Sequence, residues 1–303
     1  FYSSVSNLLQ GNSITTNGTS SNYGMWLHNS ANNNAVTNNT IYVQGSGSGN
    51  VGINLSSTVS GNVVSGNSIR TTGTDLNYGV RLESSANNNT VTNNTIYAQG
   101  SLGSNYGIYL YSTVSGNVVS GNSISTNGTS SNYGVSLDTS ANNNNLTNNT
   151  IYAQGSGSGN IGIYMFSTVS GNVVSGNMIQ TNGTSSNVGI RLSSWTDNNT
   201  VTNNTIRTHG SLASNYGLYL TTTVSGNVVS GNSISTNGTS SNYGVSLDTS
   251  ANNNNLTNNT IYAQGSEGSN YGVSLSSASG NVVSGNSITT NGTNNNYGMY
   301  SLS

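Results

Sequence analysis

Cysteine and lysine are absent from all 303 residues, and charge of either sign is scarce: four arginines and six acids give a net charge of −2. Without cysteine there are no disulfides and no thiolate metal sites, and the redox compartment stays open. So little positive charge offers no footprint for nucleic acid or an anionic membrane surface. No stretch approaches the roughly eighteen apolar residues of a membrane span, and no charged-then-apolar leader opens the chain, so neither a span nor a signal peptide is expected in it. Starting at Phe1 without Met, it reads as a processed or trimmed product. His28 and His209 stand far apart and no acids join them at ligand spacing, so no metal and no cofactor is expected.

What the chain has instead is Asn, 58 of them, with 39 Gly. An apolar fraction of 31% with 3% charge would suggest disorder if the apolar residues were scattered. They are periodic. Asn, one residue (small except Met178) and Ile recur at Ile14, Ile41, Ile69, Ile96, Ile124, Ile151, Ile179, Ile206, Ile234, Ile261 and Ile288, in steps of 27 or 28 residues that alternate through most of the chain. Ile124–Ser156 and Ile234–Ser266 are identical, which points to duplication of a 55-residue pair. Repetition without a linker makes residues 1–303 one elongated domain, its core formed only by stacking neighbours.

Each unit carries three short patches with period-two alternation, as in Ile124-Ser-Thr, Tyr133-Gly-Val-Ser-Leu137 and Asn144-Asn-Leu146. Period two means strands, and the Gly, Asn and Ser runs between them are turn chemistry. The predicted fold is therefore all-β: a right-handed, three-sided parallel β-helix of about eleven coils of 27–28 residues. At the strand spacing such a rod is about 50 Å long. Two Asn columns, one running from Asn12 to Asn286 and one from Asn7 to Asn281, are expected to stack as amide ladders. The Gly column from Gly24 to Gly298 marks a bend or close approach within the second strand.

In order, Gly134-Val135-Ser136-Leu137, Asn144-Asn145-Leu146 and Asn149-Thr150-Ile151 resemble the short degenerate repeat of the pectin-lyase-like right-handed parallel β-helices, and the match covers essentially every residue. The resemblance implies the fold and leaves function open, because that family includes polysaccharide lyases, hydrolases, epimerases, tail spikes, adhesins and surface-layer proteins.

Relatives that cleave polysaccharides use clustered acids, and this chain has few. Glu83 and Asp138 share a slot two coils apart, about 10 Å, with only one Arg nearby and no further acid to tune them. No catalytic residue is expected. Asn17, Asn38, Asn127, Asn182, Asn237 and Asn291 head Asn-x-Ser/Thr sequons, in a chain whose Ser and Thr content would create as many by chance.

Comparing the repeats with one another shows most variation at outward positions of the second strand. There Trp26, Arg81, Tyr109, Tyr111, Tyr164, Phe166, Arg191 and Tyr219 gather as a candidate contact face, with a bland exposed-sheet reading beside it. The incomplete first and last coils complement each other, so head-to-tail self-association into a filament is expected. The leading reading is a non-enzymatic extracellular or cell-surface structural protein: a stiff subunit of a fibre, sheath, surface layer or adhesin stalk. The alternative is a glycan-binding or polysaccharide-processing β-helix, with ice binding a weaker third because the Thr columns are interrupted.

Overall fold

The computed structural model describes residues 1–302. Three eleven-stranded sheets run the length of the chain, each strand pairing in parallel with its counterpart one coil on. The first sheet is built of three-residue strands from Leu8–Gln10 to Val282–Ser284. The second runs from Ser13–Gly18 to Ser287–Asn291, and the third from Tyr23–His28 to Tyr297–Leu302. Register is kept throughout: Ile96 pairs with Ile69 on one side and Ile124 on the other. One small extra pair, Val224–Ser225 with Ala251–Asn252, lines a corner.

Inward Ile, Val and Leu from all three sheets form one continuous core. The corners are where polar groups must enter it, and there the amides stack as expected. Asn149 shows the pattern. Its Oδ1 accepts from the backbone N–H of Asn122 at 3.0 Å and from Asn122 Nδ2 at 2.9 Å, while its own Nδ2 donates to Asn177 Oδ1 at 3.0 Å and to the Val119 carbonyl at 2.9 Å. The column from Asn7 is bonded in the same way. A third ladder, not anticipated from the sequence, runs Asn22, Asn50, Asn77, Asn105, Asn132, Asn160, Asn187, Asn215, Asn242, Asn270 and Asn296, with Nδ2 to Oδ1 distances of 2.8–3.1 Å.

The Gly column of the third sheet is a close approach. A Cβ on Gly134 would sit 2.1 Å from Ile151 Cγ2 and 2.6 Å from the Gly162 carbonyl oxygen, so neither the core nor the next coil could accept it. This tight passage also interrupts the alternation. Stepping back from Leu137 by twos would turn Tyr133 inward with Val135, but the ladder skips Gly134, and Tyr133 comes out on the solvent side.

At two of the turns that use left-handed residues, that residue alternates between Asn and Gly from the second coil on. Asn33 (φ 56°) is followed one coil later by Gly61 (φ 66°), and Asn38 (φ 54°) by Gly66 (φ 67°). A Cβ on Gly61 would meet Asn33 Oδ1 at 2.3 Å, so the Asn of one coil occupies the space that Gly leaves in the next.

Replacing Asn149 with Ala strips two buried donors of Asn122 of their acceptor and removes a donor from Val119. With each orphaned buried group costing roughly 1–3 kcal/mol, the variant is expected to lose about 3 kcal/mol or more. Urea unfolding followed by circular dichroism reads the loss, and an unchanged midpoint would mean that the ladders do not hold the fold.

Candidate functional site

The outward face of the third sheet is a grid three columns wide. Its middle column reads Trp26, Asn54, Arg81, Tyr109, Ser136, Tyr164, Arg191, Tyr219, Ser246, Ser274 and Tyr300, in register from coil to coil. An outer column reads His28, Ser56, Glu83, Tyr111, Asp138, Phe166, Ser193, Thr221, Asp248, Ser276 and Leu302. The column on the other side, which sequence reasoning missed, holds Tyr23, Tyr78, Tyr106, Tyr133, Tyr216, Tyr243, Tyr271 and Tyr297. Its signal was present, a Tyr before most of the repeat glycines, but strict alternation assigns it to the core.

Parallel strands in register bring these rings together. Tyr106 stacks on Tyr78 at 5.0 Å and on Tyr133 at 4.8 Å; Tyr133 meets Tyr164 at 5.8 Å, and Tyr164 meets Phe166 at 4.6 Å. A second run joins Tyr216, Tyr243, Tyr271 and Tyr297 at 4.7–5.2 Å. Arg191 links the two runs, its guanidinium 5.3 Å from the Tyr164 ring and 5.4 Å from that of Tyr219. All eight anticipated contact residues therefore lie on this face. Trp26, 41% exposed, stacks on Tyr23 and donates to Ser56 Oγ at 2.7 Å. Tyr111 lies against Tyr109 at 5.5 Å.

The three acids of this face are engaged. Glu83 is ion-paired to Arg81 and accepts from Asn54 Nδ2 at 3.1 Å. Asp138 accepts from the Tyr109 hydroxyl at 2.9 Å and from Thr139 at 2.8 Å. Between Glu83 and Asp138 the register places Tyr111, so an aromatic row separates the two carboxylates. Asp248 repeats the arrangement with the Tyr219 hydroxyl at 3.4 Å. Among the described residues no group of three or more His, Asp or Glu could hold a metal ion.

The second sheet carries a smaller outward cluster, with Arg70 over the Tyr42 ring at 5.5 Å and donating to Gln99 at 3.1 Å. The sequon residues Asn17, Asn127, Asn182, Asn237 and Asn291 share one outward column of that sheet, and Asn38 sits at its left-handed turn. All six are exposed.

The family model for a right-handed beta helix region matches residues 1–151, 73–206 and 129–288 in overlapping segments. The chain belongs to the right-handed β-helix family. No curated protein matches it in sequence. Among solved structures it is similar to the periplasmic alginate epimerase AlgG, at 14% identity and a TM-score of 0.53, over 90% of this chain and 76% of that one. It is also similar to the Dettilon tailspike protein, at 15% identity and a TM-score of 0.55, over 97% of this chain and 61% of the tailspike. At such identities the likeness is one of fold.

These comparisons correct the expectation that the chain is not an enzyme, because an epimerase is built on the same coil. The physical reason lies in what was counted. Scarce acids argue against a pair of catalytic carboxylates, but say nothing of the phenols and guanidinium groups that this β-helix sets beside Glu83, Asp138 and Asp248.

Burial pushes the phenols of Tyr78, Tyr106, Tyr109, Tyr133, Tyr216 and Tyr243 above their ordinary value, and at Tyr109 the Asp138 carboxylate adds to it by charge and by hydrogen bond. A phenol that holds its proton more tightly folded than unfolded stabilises the fold fully below the ordinary value of about 10, and that contribution is lost as pH rises through the folded value. Absorbance titration of phenolate is thus expected to show a late-titrating class of tyrosines, with thermal stability falling above about pH 10. Titration of every phenol at the free value in a folded chain would contradict the stacked arrangement.

Proposed function

We propose that the chain is a surface-exposed or secreted β-helix that engages an extended polysaccharide along the third sheet. The observation that carries the reading is the seam of aromatic and Arg side chains from Arg81 to Tyr300, gathered on one outward face and kept in register by the coils. Rings stacked coil on coil spend their faces on each other. Their edges, with hydroxyl groups and the Arg191 guanidinium, line the solvent side. A ligand that repeats along its own length suits a surface that repeats along the rod, and this favours a polymer over a small compact molecule.

The fold supports the same reading. The epimerase is named as periplasmic and as acting on alginate, a polysaccharide. No helix among the described residues is long and apolar enough to cross a membrane. The stiffness anticipated from the sequence becomes the platform for this face, since hydrogen bonds along the axis and three amide ladders keep its rows aligned. Where Tyr109 meets Asp138 and Tyr219 meets Asp248, a phenol and a carboxylate share a hydrogen bond, which is the equipment for moving a proton.

Affinity electrophoresis and a glycan array with the native chain test the reading. Tyr164→Ala and Tyr219→Ala each remove one wall of the Arg191 sandwich and are expected to weaken binding about tenfold, equivalent to about 1.4 kcal/mol. Circular dichroism confirms that each variant stays folded, and product analysis of the same mixtures registers turnover. A native chain that binds no polysaccharide of any class would sink the proposal.

A further inference from the structure

Identical segments of this chain sit in different surroundings. Ser136 and Asp138 belong to one copy of the duplicated sequence, Ser246 and Asp248 to the other. Around the first copy every adjacent row is large: Tyr109 and Tyr111 in the preceding coil, Tyr164 and Phe166 in the following one. They close over it, leaving Asp138 7% exposed and Ser136 Oγ buried without a partner. Around the second copy the following coil offers only Ser274 and Ser276, and the next aromatic residue of the middle column is Tyr300. The result is a cradle of about 230 Å³, with Ser246, Ser274 and Ser276 in its lining, Tyr243 and Tyr271 along one side, and Asp248 on the other. Tyr300 turns out of the stack at the far end, its ring at 64° to that of Tyr271.

We infer that this cradle is a subsite for one neutral pyranose unit of the polysaccharide, an inference that rests on the proposed function and narrows its substrate class. Ser246 and Ser274 are each only 5% exposed, and among the described residues neither hydroxyl makes a hydrogen bond within the chain. Hydroxyl groups without partners that open from largely buried residues into a cavity are groups that a ligand completes. Asp248 takes its two internal bonds from Tyr219 and Thr249 and keeps lone pairs for the hydroxyl donors of a sugar.

Charge selects among sugars. No arginine lines the cradle, and Arg191 is held outside it between Tyr164 and Tyr219. A uronate, sulfate or phosphate would bring a second negative charge beside Asp248 with no cation to offset it, whereas a neutral hexose brings only hydroxyl donors. The chain thereby differs in expected substrate from a protein that acts on a polyuronate such as alginate.

Titration calorimetry with neutral hexose oligomers (gluco-, galacto- and manno-configured) and with oligomannuronate tests the inference, using the native chain and three variants. The native chain is expected to bind at least one neutral series and not the uronate. Asp248→Asn should weaken that binding tenfold or more, and Ser246→Tyr, which copies the Tyr219 side chain into the cradle, should abolish it. Asp197→Asn removes an acid away from this face, at a corner where Asn142 and Asn252 make the same bond in other coils, and should leave binding unaltered. Uronate binding in preference to neutral sugars, or neutral binding indifferent to Asp248→Asn and Ser246→Tyr, would overturn the cradle while leaving polysaccharide engagement standing. Failure of every oligomer and every polymer to bind would overturn both.

Discussion

A corner amide oxygen that accepts two N–H groups from the neighbouring coil is the interaction on which the rest of this molecule depends. Asn149 Oδ1 takes both the backbone and side-chain protons of Asn122, and the pattern recurs along the ladders. A chain that is 31% apolar has only a narrow core, and the backbone turning each corner would otherwise bury polar groups at a cost of a few kcal/mol apiece. The amide solves this only when its counterpart lies one strand spacing away, so the ladders enforce register as well as satisfying the corner. Everything outward inherits that register, including the tyrosines.

Much of this was legible in the amino-acid sequence because registered stacking writes itself as periodicity. The eleven isoleucines, two of the three amide ladders, the close-approach glycines and the aromatic face could all be placed by counting residues. The third ladder was hidden in plain view, since Asn22, Asn50 and Asn77 fall in polar runs where an Asn reads as ordinary turn chemistry. The Tyr133 column was missed for a different reason. Alternation is a rule about regular strands, and Gly134 breaks it where the chain passes too near Ile151 for any side chain to fit. Sequence scarcity also misled about chemistry, because counting acids could not reveal that Asp138 and Asp248 each accept a hydrogen bond from a tyrosine hydroxyl one coil away.

The alternation of Asn and Gly at the left-handed turns gives a physical reason for the size of the repeating pair. Asn33 fills the space over Gly61, and Asn88 fills it over Gly116. Copying a single coil would set Asn over Asn at this turn, with a Cβ where only hydrogen fits. Copying two coils preserves the alternation, and the identical segments Ile124–Ser156 and Ile234–Ser266 lie 110 residues apart, which is two such pairs of 55. The constraint acts between neighbours only, as expected for a solenoid, so the chain could lengthen by pairs without re-solving its core.

That locality also explains how a repetitive sequence acquires a distinct site. The ladders and core engage inward and corner positions, and leave the outward columns of the third sheet free to vary. A residue there takes its properties from the coils above and below more than from its own segment. The same Ser-Leu-Asp triplet is sealed where Tyr109, Tyr111, Tyr164 and Phe166 flank it, and open where Ser274 and Ser276 follow. Small side chains in place of large ones a coil away, Ser274 for Tyr164 and Ser276 for Phe166, separate a closed-in carboxylate from one that faces a cavity. Specificity in such a fold is therefore written in the order of the coils, and no single repeat read alone contains it.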